Sequence, residues 1–164
     1  MGGLFIKLKL LIGISSIIFI VFRTGYFFGN YDSNSKVNRI NKLIIPSICF
    51  EMHLYDMDSE LNNVDYNVEL LNESSYEDKL FYIVGHSGNG DNCYFNKIKN
   101  LKIGEYVYII INNEKLIYRI DNIYYIVKDG YMEIFNDEVN LVYLITCDIY
   151  NNNRQLVIKG VLVN

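Results

Sequence analysis

Between residues 79 and 163 the chain repeats one pattern, a short apolar run followed by a cluster of turn formers. The runs cover residues 79–85, 105–111, 115–127, 141–147 and 155–163. The breaks between them include Gly85 to Asn92 (GHSGNGDN), Asn112-Asn113-Glu114 and Asn151-Asn152-Asn153. Apolar runs of this length bounded by Gly and Asn predict strands, and the Asn-Asn-Glu break predicts a tight hairpin. Upstream, residues 43–50 form an apolar run interrupted by Pro46, which predicts an edge strand or a strand start. Residues 52–55 predict a second short strand, and the acidic, Asn-rich residues 56–67 a loop. Phe95, Ile98 and Leu101 recur at helical spacing and predict one or two helical turns over residues 94–101. The chain contains no Ala, while Ile, Val, Tyr and Phe are abundant. That composition excludes a helical bundle and suits a pleated surface. The expectation is an all-β fold of about eight strands, as a closed barrel or sandwich.

The N-terminus obeys a different rule. Residues 10–22 (LLIGISSIIFIVF) carry no charge. Thirteen residues are short of the roughly 20 needed to cross hydrocarbon, but residues 4–22 suffice if Lys7 and Lys9 snorkel to the near face. No Ala-x-Ala site follows the run, and the next residues are bulky and aromatic. The expectation is therefore an uncleaved signal anchor over residues 1–28. Lys7 and Lys9 keep the short end inside and the domain outside, at the cell membrane. Residues 29–41 (GNYDSNSKVNRIN) read as a linker, and residues 42–164 as the folded domain.

Net charge is −4. The first 23 residues hold Lys7, Lys9 and Arg23 and no acid, leaving 12 basic against 19 acidic residues, or −7, for the rest. No basic face is offered to a nucleic acid, so that partner is excluded. The cysteines Cys49, Cys93 and Cys147 lie 44 and 54 residues apart, which matches no metal-binding spacing.

Three short pieces can carry chemistry. In Leu144-Ile145-Thr146-Cys147-Asp148 a Cys ends an apolar strand. In Val84-Gly85-His86-Ser87-Gly88 a His ends another. Arg154 opens the last strand, seven residues after Cys147. If the last two strands form a hairpin, Arg154 falls within one or two residues of Cys147 across the ladder. Gln155 follows Arg154, and the register decides which of the two faces the thiol. Cys, His and Arg together suit acyl transfer, as nucleophile, acid/base and oxyanion donor. Taken singly, each has a plainer reading: a small buried hydrophobe, a solvated loop His, a hairpin Arg. His53, inside an apolar strand, reads as a structural His. The glycines of the His86 loop lack the Gly-Lys-Ser/Thr of a phosphate loop.

Together the pieces resemble the sortase family of membrane-anchored cysteine transpeptidases. Its TLxTC motif is matched by Tyr143-Leu144-Ile145-Thr146-Cys147, with Thr146 as the supporting residue. Its Arg strand is matched by Arg154-Gln155-Leu156-Val157-Ile158, and its His by Val84-Gly85-His86. Leu43-Ile44-Ile45-Pro46-Ser47-Ile48 and the stretch Tyr94 to Glu105 are looser matches. The resemblance implies an eight-stranded β-barrel with catalytic Cys147, His86 and Arg154. It also implies substrates among secreted proteins with a C-terminal LPXTG-like sorting signal. The amine that resolves the thioacyl enzyme would belong to a peptidoglycan precursor or a pilin. No cofactor or metal takes part in the bond exchange. Some members are stimulated by calcium, but Asp56, Asp58 and Glu60 lack the Gly and carboxylate spacing of an EF-hand loop and read as solvated. Two alternatives use the same residues differently: a cysteine hydrolase with this site, and a non-catalytic membrane-anchored β-barrel binding module.

Overall fold

A computed structural model describes residues 41–129 and 139–164. The signal anchor expected over residues 1–28 and all but the last residue of the linker lie outside them. Among the described residues no helix is long and apolar enough to cross a membrane.

Eight strands form one sheet: β1 (Lys42–Ile45), β2 (Phe50–His53), β3 (Glu69–Leu70), β4 (Phe81–Val84), β5 (Tyr106–Ile111), β6 (Glu114–Val127), β7 (Leu141–Cys147) and β8 (Arg154–Leu162). The spatial order is β2-β1-β5-β6-β8-β7-β4-β3. Every pairing is antiparallel except β4 with β7. The sequence suggested a closed barrel or a sandwich; the sheet instead keeps two edges, β2 and β3. It curls enough that Asn67 Nδ2, just before β3, donates to the carbonyl of His53 at the end of β2, 3.0 Å away. A side chain thus bridges the edges where no ladder does.

Pro46 breaks the first apolar run because it has no N–H to give a ladder. It opens a 3₁₀ turn at Pro46–Ile48, closed by Cys49 in the left-handed region (φ 50°). The run expected as one strand over 43–50 is therefore two elements. The helical turns expected near residue 94 form a 3₁₀ segment, Tyr94–Asn100, burying Phe95 and Ile98. The β5–β6 hairpin turns on Asn112 and Asn113, both at positive φ (51° and 68°). A two-residue turn of that hand matches strand twist, and Asn tolerates it. β3 has two residues, and its outer side is met by a side chain. Asn62 Nδ2 donates to the Leu70 carbonyl and Asn62 Oδ1 accepts from the Leu70 N–H, both at 2.8 Å.

β7 is central and buried along six of its seven residues. Its side chains alternate between two apolar clusters. Val142 and Leu144 join the main core with Phe81, Phe95, Leu156 and Ile158. Leu141, Tyr143 and Ile145 join a second cluster with Tyr82 and Val157 on the other face. Burial on both faces is why this strand reads as a continuous apolar run, and the parallel β4–β7 pairing belongs to such buried strands.

Candidate active site

The register of three neighbouring strands sets the site. β4 and β7 run parallel with Val84 beside Ile145. Two bonds carry that pairing past the strand ends: the Gly85 N–H to the Ile145 carbonyl (3.1 Å) and the Thr146 hydroxyl to the Gly85 carbonyl (2.7 Å). Continued one step, the register sets His86 beside Cys147. The Ser87 hydroxyl then donates to the Cys147 carbonyl. Thr146 is thus a buried clasp between the strand that ends in Cys147 and the one that leads to His86. An apolar side chain there would leave the Gly85 carbonyl unpaired.

The His86 loop is held from below. Asn96 receives the Gly88 N–H (2.8 Å) and donates to the Gly88 carbonyl (2.9 Å), and the Phe95 N–H bonds the His86 carbonyl (2.9 Å). Gly88 has φ 141°, where a side chain would be strained. Gly85 is required for space. A Cβ there would lie 2.8 Å from the Phe95 ring. The His86 imidazole is half exposed, and its Nε2 pairs with Asp65 Oδ1 at 3.2 Å.

Across the other edge of β7, Cys147 is paired with Gln155, and Gln155 in turn with Ile126 of β6. Asp148 continues the hairpin, its N–H bonding the Arg154 carbonyl at 3.1 Å. Pairing 148 with 154 fixes 147 against 155, so Gln155 stands directly across from Cys147 and Arg154 falls one position further along. There its guanidinium lies over the Tyr125 ring, 4.1 Å from the centroid, and its Nε donates to the buried Asp148 carboxylate. The Tyr150 N–H and Arg154 together hold the Asp148 carboxyl below the usual carboxylate range. Asp148, Tyr125 and Tyr150 line a cleft that Cys147, Phe95 and Ser87 also border. Of the residues expected at the site, Thr146 and Cys147 end β7, and His86 follows Gly85, which Thr146 holds. Arg154 opens β8 beside them, on Asp148 and Tyr125.

Two contacts were not foreseen. Lys128, one residue past β6, directs Nζ to Cys147 Sγ at 3.3 Å. Asp65 meets His86 from a loop 21 residues upstream. Neither has a local sequence signal; a Lys after a strand and an Asp in an acidic loop look like surface residues. Among the described residues no group of three His, Cys, Asp or Glu side chains is placed to hold a metal ion.

A Cys ending a buried central strand, with a His two residues past the end of its parallel neighbour, sits on one curled all-β sheet. A Sortase domain family model matches residues 43–163, and the chain belongs to the sortase family, whose members are cysteine transpeptidases. No curated protein matches the sequence. Among solved structures, a lid mutant of sortase A from Corynebacterium diphtheriae is similar at 22% identity and TM-score 0.65, over 77% of this chain and 70% of that one. Sortase C1 of Streptococcus agalactiae, in complex with MTSET, is similar at 23% identity and TM-score 0.66, over 78% and 71%. Sortase C of Streptococcus pneumoniae gives 23% and 0.65, over 79% and 71%. At such identities these likenesses speak for the fold.

Proposed function

We propose that this chain cleaves an LPXTG-type sorting signal on secreted proteins and passes the acyl part to an amine. Cys147 would attack the Thr–Gly carbonyl, its thiol proton passing to His86 as the S–C bond forms and the carbonyl electrons move to oxygen. His86 would protonate the leaving amine as the C–N bond breaks, leaving a thioacyl enzyme. It would then take the proton from the incoming amine as that amine displaces the sulfur. Asp65 would orient the imidazole. The acceptor would be a peptidoglycan-precursor or pilin amine; pilin substrates are a subject of the S. pneumoniae sortase C structure. Residues 4–22 would anchor the chain in the cell membrane with the domain outside, a reading supported by the uncharged run and the preceding lysines.

The observation that supports this reading is the parallel β4–β7 register, Val84 beside Ile145, since the chain leaves both strands at the same end toward His86 and Cys147. Arg154, expected from the family pattern as the oxyanion donor, is held by Asp148 through Nε and lies over Tyr125. The test is mass spectrometry of the full chain mixed with LPXTG-type peptides, with and without triglycine. A thioacyl adduct on Cys147 and an amine-dependent ligation product are expected. Adduct formation with water alone as acceptor would make the protein a hydrolase, and no adduct on Cys147 with any such peptide would refute the reading.

A further inference from the structure

Cys147 needs a donor for the charge that develops on the substrate oxygen, and the register denies it the expected one. Its cross-strand partner is the neutral Gln155. Arg154 is one position along, engaged by Asp148 and Tyr125. The cation that meets the sulfur comes from β6. The β6–β8 pairing ends with Val127 against Arg154, and the Lys128 N–H continues it to the Asn153 carbonyl at 2.8 Å. Side chains alternate along a strand, so Lys128 shares the face of Ile126, and Ile126 lies in one row with Gln155 and Cys147. From there Nζ reaches Sγ at 3.3 Å.

We propose that Lys128 is the catalytic cation of this site, in the position that the family pattern gives to an arginine; the proposal rests on the acyl-transfer reading above. In the resting enzyme its ammonium donates to the Cys147 sulfur. When the S–C bond forms, the carbonyl π pair moves to an oxygen two bonds from that sulfur, within reach of the same ammonium. Lys128 then donates a hydrogen bond to the oxyanion and keeps its proton. The proton for the leaving amine comes from His86. A charge-assisted donor fixed before the reaction stabilises developing charge without reorganising at the moment of transfer. Gln155, in the same row, supplies a neutral second donor.

The experiment uses the full chain with two readouts. The first is the rate of iodoacetamide labelling at neutral pH, followed on the Cys147 peptide so that Cys49 and Cys93 do not contribute. The second is kcat and KM with a fluorogenic LPXTG-type peptide and triglycine. Lys128→Met should slow Cys147 labelling by about twofold to fivefold, the range for an exposed ion pair. It should lower kcat by on the order of 10²-fold with KM little changed. Lys128→Arg should recover part of both, since charge is kept while the donor geometry changes. Lys97→Met, which removes an exposed lysine from the 3₁₀ segment, should change neither. Wild-type labelling in Lys128→Met overturns the proposal. So does an acyl group found on Lys128 instead of Cys147, because the lysine would then be an acceptor. A wild-type chain that cleaves no such peptide refutes the substrate reading, and the labelling rates still decide the Lys128 pairing.

Discussion

Gly85→Ala tests whether the joint between β4 and the His86 loop is as tight as its geometry says. The added Cβ would lie 2.8 Å from Cγ and Cδ2 of Phe95 and 3.1 Å from Cδ1. Ordinary carbon contacts are about 3.5–4.0 Å, so ring or backbone must shift by roughly 1 Å. The ring has little room: Phe95 is 1% exposed and packs against Phe50 with centroids 5.7 Å apart. Overpacking of this kind costs about 1–3 kcal/mol. Stiffening of the unfolded chain returns about 0.4–1 kcal/mol, leaving a net loss of roughly 0–2.6 kcal/mol, centred at about 1.3. At about 4 °C per kcal/mol for a domain of this size, Tm should fall by about 5 °C, and by at most roughly 10 °C. Circular dichroism of the detergent-solubilised full chain measures it. In a double-mutant cycle, Phe95→Leu should absorb the clash, so the double variant should be less destabilised than the sum of the singles by about 0.5 kcal/mol or more. If the backbone yields instead of the ring, the Thr146–Gly85 clasp stretches and turnover falls more than Tm accounts for. Strictly additive singles (a roughly 0.5 kcal/mol limit) would refute the packing argument.

Cys147→Ala should abolish thioacyl formation while preserving the unfolding transition, and Cys49→Ala and Cys93→Ala should keep activity; turnover by Cys147→Ala removes it as nucleophile. Gln155→Ala should lower kcat by on the order of 10-fold as a weak neutral donor, whereas Arg154→Ala should act mainly through Tm and KM by releasing Asp148 and Tyr125. The reverse order, with Arg154→Ala losing roughly 10²–10³ in kcat, would put the guanidinium on the oxyanion. Asp148 has a folded-state pKa below its unfolded value, so it contributes stability above the unfolded value that is lost as pH falls through the folded one. The Tm gap between wild type and Asp148→Asn should therefore narrow as pH drops below about 4, and a gap constant with pH would contradict the assignment.

The strands were legible where the chain spends a whole run on one environment. β7 is apolar because both faces are buried, and β5–β6 shows in its paired Asn turn. The Cys147 and His86 motifs were legible because each ends such a run. β3 was missed because two residues leave no period, and Asn62 supplies outer bonds that a strand would otherwise make. The Pro46 break was visible but read as one strand, since a turn of three residues has no pattern of its own. Whether residue 154 or 155 faces the thiol depends on how the loop 149–153 closes, which composition does not encode. Lys128 and Asp65 reach the site by pairings remote in sequence, and nothing local distinguishes them.

The Asn62 amide has a further consequence. A sheet edge with free N–H and C=O groups is a template for any other strand, and this chain is rich in β-branched and aromatic residues. If copies share a membrane plane, edges meet often and in similar orientation. At Leu70 the outward donor and acceptor are both occupied by a side chain of the same molecule. Asn62 thus acts as a plug against strand-by-strand polymerisation, and the shortness of β3 leaves little edge beside it to seed a fibre.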